Sequence, residues 1–300
     1  MEISKVDRKS KVRTLQEAAD MVKDGMTISV GGLQSNNAPN AFVREIIRRR
    51  LKDLTLILTN NAGYHADILI GAGCVKRVYM SYIGLDHLGF APNFKRMAEA
   101  GKIEVVDLDE MGLFRSLKAG SSGIAFSVLP DGMRAIENVR INPDFYKEID
   151  DPFTGKKVAV VRPLRSDLAV VYCTTCDDYG NARQEVLAED YLYMSADKVI
   201  VITEELTPLD ATIAHHDKVT IQGFIVDTVV ETQFAAHPGE ACGHYAFDDE
   251  HMREYQKAGS EDATFQAYLQ KYVYAPKNHL EYLEGIGMPK LLKLRRLATQ

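Results

Sequence analysis

The sequence predicts an α/β protein, with a doubly wound, mostly parallel sheet and helices on both faces. Three observations point there. Helix-period patterns alternate with β-rich runs over the first hundred or so residues, the signature of βα repeats. The runs are short and β-branched, as buried parallel strands usually are. The 300-residue chain is 46% hydrophobic and 26% charged, the balance of a globular protein. At this length a chain buries about three quarters of its unfolded surface.

The elements follow in order. Leu15 to Val22 has apolar residues at 15, 18, 19 and 22, a helical spacing. Asp24-Gly25 ends it, and Thr27 to Val30 reads as a strand. Pro39 starts the next helix, where Phe42/Ile46 and Val43/Ile47 stack four apart. Leu54 to Leu58 is a strand, Ala66 to Ile70 a short helix, and Val75 to Tyr82 a third strand. Asn93 to Glu99 is helical, Ile103 to Leu108 a fourth strand, and Met111 to Lys118 a helix. From 121 to 157 Gly, Pro, Asn and Asp interrupt any period, so this is a long irregular insertion with room for a hairpin. Strands resume at Lys157 to Val161, Leu168 to Cys173, Lys198 to Thr203 and Phe224 to Val230. The region from about 248 is helical, with Met252 to Ala258, Phe265 to Val273 and Leu280 to Glu284. No linker divides the chain, which reads as one domain over 1–300.

Composition narrows the function. A net charge of −6 disfavours a general nucleic-acid binder. No apolar run is long enough to span a membrane, and the charged N-terminus lacks an apolar leader segment. Four cysteines without such a leader point to a reduced, cytoplasmic protein.

In open parallel sheets ligands bind outside the carboxyl ends of the strands. The loops to inspect are therefore 31–39, 59–65, 81–90 and 107–110. The first carries Gly31-Gly32 and then Pro39. Glycine lets a ligand approach the backbone closely, and its amide N–H groups can hold a carboxylate or an oxyanion. A plain tight turn that binds nothing fits the same residues. Asn60, Asn61 and Gly63 on the second loop supply amide donors, and Gln34 and Tyr82 join them as substrate-binding candidates.

These residues carry a resemblance. Asp24-Gly25, Gly31-Gly32 and Pro39 resemble the first signature of the family I coenzyme A transferases. Ser29, Leu33 and Asn37 depart from the apolar triplet, Phe and Gly usual there. Asp53-Leu54-Thr55, Ile70-Gly71-Ala72-Gly73, Val75-Lys76-Arg77 and Glu99-Ala100-Gly101-Lys102-Ile103 match as well. Val226-Asp227, Ala236-His237-Pro238, Gly243-His244-Tyr245 and Asp248 look like the α subunit of glutaconate CoA-transferase. The resemblance runs from about 15 to about 285 and is weakest at 121–145. A second relative is the α subunit of a steroid ring-opening hydrolase that acts on a CoA thioester. It is similar at Leu85-Asp86, Asp109-Glu110, Asp178 to Ala182 and Thr203 to Leu206, and Glu110 falls at about its functional glutamate.

The resemblance implies a CoA thioester as substrate, with no permanently bound cofactor. It also implies a carboxylate co-substrate and a β subunit, with α2β2 as the expected assembly. The family's nucleophile is a glutamate within a Ser-Glu-Asn-Gly type motif on the β half, and no such motif occurs in this sequence. The catalytic candidate on this chain is Glu110, which equally suits a first helical turn for reasons of the helix dipole. His237, Cys242, His244, Cys173 and Cys176 fit no structural zinc spacing, so no metal is expected. The basic runs Arg44–Arg50 and Lys290–Arg296 read as solvated faces, and His215-His216 as surface.

Overall fold

The computed structural model describes residues 9–184 and 190–298. The leader reading rests in part on residues 1–8, which lie outside the described residues.

The first half of the chain runs α1 (Leu15–Ala19), β1 (Thr27–Val30), α2 (Asn40–Arg48), β2 (Leu54–Leu58), α3 (Tyr64–Gly71), β3 (Val75–Met80), α4 (Pro92–Glu99), β4 (Glu104–Asp107) and α5 (Glu110–Ser122). The insertion holds β5 (Ser127–Val128), α6 (Glu137–Ile141), β6 (Tyr146–Asp150) and β7 (Lys157–Val161). Then follow β8 (Leu168–Cys176), β9 (Ala182–Arg183), α7 (Asp190–Met194), β10 (Val199–Leu206), α8 (Leu209–Ala214) and β11 (Thr228–Glu231). The chain closes on α9 (Asp249–Gly259), α10 (Asp262–Leu269), a π-helical turn, α11 (His279–Ile286) and α12 (Met288–Leu297).

The main sheet has the order β11-β10-β8-β1-β2-β3-β4, with β9 paired to β8. Every pairing along that path is parallel. The chain winds outward from β1 to β4, then returns to β8 on the other side of β1. The strand order therefore reverses between β1 and β8, and the crevice at such a switch point is where ligands bind in these folds. The glycine loop leaves β1 there.

Alternate strand residues feed two cores, which is why the strands read as continuous apolar runs. Ile28, Val30, Leu56, Val78, Val170, Ile200 and Ile202 face α1 to α4 and the C-terminal helices. Ile57, Ala169, Val171, Val199 and Val201 face α5, α7 and the small sheet. Caps fix the ends that matter. Thr14 and Glu17 form a capping box at α1. Asp109 caps α5 through the Gly112 amide at 2.7 Å, and Gly123 ends that helix at φ 66°.

Several elements differ from expectation. Lys157–Val161 belongs to a separate antiparallel sheet, order β5-β7-β6, not to the parallel one; β6 and β7 form a hairpin. The strand expected over Phe224 to Val230 starts at Thr228. Before it, Lys11 Nζ donates to the carbonyls of Gly223 and Val226 at 2.6 Å each, and Asn181 holds the Gly223 amide. Those bonds wind 223–225 into a single 3-10 turn. The third strand stops at Met80 because Ser81 turns its hydroxyl to the Asn60 carbonyl, 2.5 Å away.

The first basic run is corrected too. Arg44 is buried, and its guanidinium donates to the His237 carbonyl at 2.8 Å and lies 3.8 Å over the Tyr282 ring. Arg48 donates to the carbonyls of Val273 and Pro276 at 3.0 Å, and Arg49 pairs with Asp20 and Glu45. This run ties α2 to the C-terminal helices. In the second run, on α12, Lys293, Arg295 and Arg296 are exposed as expected, and Lys290 turns in to Asp248 at 3.0 Å. His215 and His216 are exposed.

Candidate functional site

The carboxyl ends of β1, β2 and β3 bring three loops together. Gly32 has φ 114°, and a Cβ there would lie 2.5 Å from that of Ala38, so this turn demands glycine. Its carbonyl accepts the Thr59 hydroxyl at 2.7 Å, joining loop one to loop two. Leu33 and Asn36 exchange backbone hydrogen bonds of 3.0 and 2.8 Å, which closes a tight turn with Gln34 at φ 53°. The Gln34 amide donates to the Asn61 carbonyl at 2.6 Å. Gly63 sits so close beneath that a Cβ would lie 2.2 Å from the Gln34 carbonyl oxygen. Loop three joins through Ala62, whose amide donates to the Tyr82 carbonyl at 3.0 Å.

Gly31, Gly32, Gln34, Asn60, Asn61, Gly63 and Tyr82 thus share one strand-end wall. Gly31 does not supply a donor to it. Its N–H donates to the Val170 carbonyl at 2.9 Å, continuing the β1–β8 ladder past the end of the strand. The side-chain amides of the half-buried Gln34 and Asn60 make no hydrogen bond among the described residues, so they are the donors this wall offers.

Glu110 opens α5 and is exposed. Asn61 Nδ2 approaches its carboxylate at 3.5 Å, at the outer limit of a hydrogen bond. Asp109 beside it is engaged twice, by the Gly112 amide and by the Tyr146 hydroxyl at 2.8 Å. Beyond the Asn61 approach, the Glu110 carboxylate has no hydrogen bond or ion pair among the described residues, and it is exposed and available.

A second layer supports the wall. Asn37 donates to the Glu240 carbonyl at 2.8 Å and accepts the Cys242 amide at 3.0 Å. Ser35 bonds Asp86 through its hydroxyl. His65 is wholly buried under Gly32, its ring within 3.2 Å of where a Gly32 Cβ would be, and neither ring nitrogen has a partner among the described residues. Burial holds its pKa down to about 3, so it is neutral. Nothing in the spacing separates His65 from an ordinary helix residue, so the sequence does not single it out.

Three residues of metal-ligating type converge elsewhere, at His237, Asp248 and His251. They already have partners. His237 bonds the Tyr282 hydroxyl at 2.7 Å and Asp248 at 3.0 Å, and His251 bonds Tyr268 at 2.7 Å. The Lys290 ammonium sits 3.0 Å from the Asp248 oxygen that a cation would need. Burial depresses the pKa of both histidines. This group does not fit a metal; it is a polar core that ties loop 233–248 to the last helices.

A doubly wound sheet with polar loops gathered at its switch point is an α/β architecture of the kind in which ligands bind at that crevice. The coenzyme A transferase family model matches residues 12–232, and this chain belongs to that family. It is 31% identical over 311 residues to the A-type polypeptide of glutaconate CoA-transferase from Acidaminococcus fermentans, covering 95% of each chain. The crystal structure of that organism's glutaconate coenzyme A-transferase matches the fold at TM-score 0.88 and 28% identity, over 95% of this chain and 96% of that one. An uncharacterised protein of Archaeoglobus fulgidus is 33% identical over 298 residues; the match takes in 96% of this chain but 65% of that longer one. The IpdA subunit of a cholesterol ring-cleaving hydrolase of Mycobacterium tuberculosis is 27% identical over 274 residues, 86% of this chain and 91% of that one. No helix among the described residues is long and apolar enough to cross a membrane.

Proposed function

We propose that this chain is the α-type half of a two-subunit enzyme that moves coenzyme A between an acyl-CoA and a small or dicarboxylic acid. The observation that carries the reading is the strand-end wall. It offers half-buried amide donors at the switch point, on a glycine loop of the family's type, and this sequence lacks the family's nucleophile motif. The missing carboxylate would come from a β subunit docked over the wall, in an α2β2 assembly.

The chemistry is nucleophilic catalysis by carboxylate. The partner's glutamate attacks the thioester carbonyl, and CoA leaves as a thiolate, giving a mixed anhydride. The thiolate attacks the glutamyl carbonyl and releases the first carboxylic acid, leaving a glutamyl-CoA thioester. A second carboxylate runs the sequence backward and departs as the new acyl-CoA. Each addition puts negative charge on a carbonyl oxygen. On this chain, Gln34, Asn60 and Asn61 are placed to bind the substrate carboxylate or that oxygen, and losing one well-placed donor costs about 3 kcal/mol in a transition state. Gly31, Gly32 and Gly63 shape the wall, and Tyr82 borders it.

The second reading is hydrolytic opening of a cyclic CoA thioester, with Glu110 as general base. What favours it is Glu110 itself, exposed and uncommitted beside Asn61, together with the likeness to a ring-cleaving hydrolase subunit. The experiment uses this chain co-purified with its natural partner. The complex is incubated with an acyl-CoA, treated with borohydride or hydroxylamine, and examined by mass spectrometry. A modified glutamate on the partner supports transfer. Turnover of a cyclic CoA thioester with no modified glutamate supports hydrolysis.

A further inference from the structure

The glycine loop does not hold its shape alone. Between Ser35 and Ala41 the chain is pinned to segment 234–242 by a series of bonds. Ser35 and Asn37 exchange backbone hydrogen bonds with Glu240 at 2.8 Å each. Asn37 accepts from Cys242. The Ala41 amide donates to the Ala235 carbonyl at 2.8 Å, and Asn40 Nδ2 to the Ala236 carbonyl at 2.6 Å. Gly239 packs so tightly that a Cβ would lie 2.2 Å from the Ser35 carbonyl oxygen. A shift of segment 234–242 therefore moves the glycine loop with it.

The start of that segment is in turn held to the sheet by one side chain, besides the ties of His237 to Tyr282 and Asp248. Glu204 lies on β10, in line with Ile200 and Ile202 on the same face of the sheet, and is buried. A carboxylate in an isoleucine row needs compensation. It accepts the Phe234 amide at 2.6 Å, the Ala235 amide at 2.9 Å and the Tyr245 hydroxyl at 3.0 Å. Tyr245 passes the arrangement on by accepting the Ala236 amide at 2.8 Å. Three consecutive amides thus converge on Glu204 and its tyrosine, a concave backbone nest for an anion. The nest forces Phe234 into the left-handed region at φ 53°, a conformation that a bulky residue adopts only when its surroundings impose it.

We propose that Glu204 is a positioning residue: by filling the nest at 234–236 it holds the glycine loop Gly31–Asn37 in register with the strand-end wall. Its catalytic importance rests on the reading of that wall as the substrate site. Glu204 touches no substrate; its action is on loop geometry, where a displacement of about 1 Å can cost a hundredfold in rate.

The test pairs Glu204→Gln with Ile202→Val, a control that removes a methylene from the same strand. Glutamine keeps the shape but turns an NH2 group toward an amide donor. Amide hydrogen exchange by mass spectrometry is followed on this chain in complex with its partner. In Glu204→Gln, peptides covering 33–41 and 233–245 should exchange at least tenfold faster, with peptides of β2 and β3 unchanged. Turnover should fall at least tenfold with KM within threefold. Ile202→Val should lower Tm with neither effect. Unchanged exchange at 33–41 in Glu204→Gln would overturn the proposal. Faster exchange with wild-type turnover would leave Glu204 holding the loop, and would instead overturn the assignment of the loop to the active site.

Discussion

Two polar regions of this protein use the same kinds of side chain to opposite ends. Under the C-terminal helices, Arg44, His237, Asp248, Tyr282 and Lys290 are packed together, each with partners inside the fold. At the strand ends, Gln34, Asn60 and Glu110 are accessible and largely uncommitted. Buried polar groups must be satisfied or they destabilise the fold. Accessible ones can wait for a ligand. Saturation therefore separates a structural polar cluster from a candidate binding wall better than residue type does, and the cluster of His237, Asp248 and His251 is the structural one.

The largest expected effect breaks the wall alone. Gly32→Val places a branched side chain at φ 114° against Ala38 and His65. Turnover of the complex should fall by more than about a hundredfold, the scale of a misplaced site. Gel filtration should still show the complex assembled. An active variant would remove the glycine loop from the site.

Next comes Glu110→Ala, which sharpens what the wall does. Under hydrolysis the loss should exceed about a hundredfold, as for an acid–base residue. Under transfer it should stay below about fivefold, because the carboxylate nucleophile belongs to the partner. Steady-state kinetics on the two substrate classes separates these outcomes.

Arg44→Met should do the reverse of Gly32→Val. It strips a donor from the His237 carbonyl and from His279, 3.3 Å away, so roughly 2–4 kcal/mol of stability should be lost. Urea denaturation measures it. Turnover per folded complex should change less than about threefold. A large kinetic defect at full stability would mean that the two regions are not separate.

Much of this is legible in the sequence, and the failures share a cause. The βα alternation through α5 is readable because each period is local. The placement of the three loops follows from the parallel topology that this alternation implies. Arg44 reads as solvated because a basic run on one helix says nothing of a C-terminal helix that returns to cover it. β7 has the composition of a core strand, yet its partners are β5 and β6, and composition does not choose between sheets. The commitment of Gly31 to Val170 depends on a strand in the other half of the chain. Glu204 stands in the Thr203 to Leu206 motif, but its role in a nest is invisible there, since the nest at 234–236 belongs to a different segment. What escapes is long-range pairing in every case.

The smallest effect concerns pH, where the two kinds of burial oppose each other. His65 and His279 are held down to about 3 by burial. Unfolded, each titrates near 6.5. Between those values the unfolded chain binds more protons, so stability should rise with pH from about 3 to 6.5. Glu204 has the opposite sign. Burial raises it to about 7 despite the amides of Ala235 and Phe234, with Tyr245 and Tyr172 facing it. Its folded form binds the proton more tightly, so its contribution falls as pH rises from about 4.5 to 7, by at most roughly 3 kcal/mol. Glu204→Gln should lower Tm at every pH by leaving an amide unpaired, but the gap from wild type should narrow across that window. Parallel Tm profiles from pH 4.5 to 7 would mean that Glu204 is ionised throughout, its charge fully met by the amides of the nest.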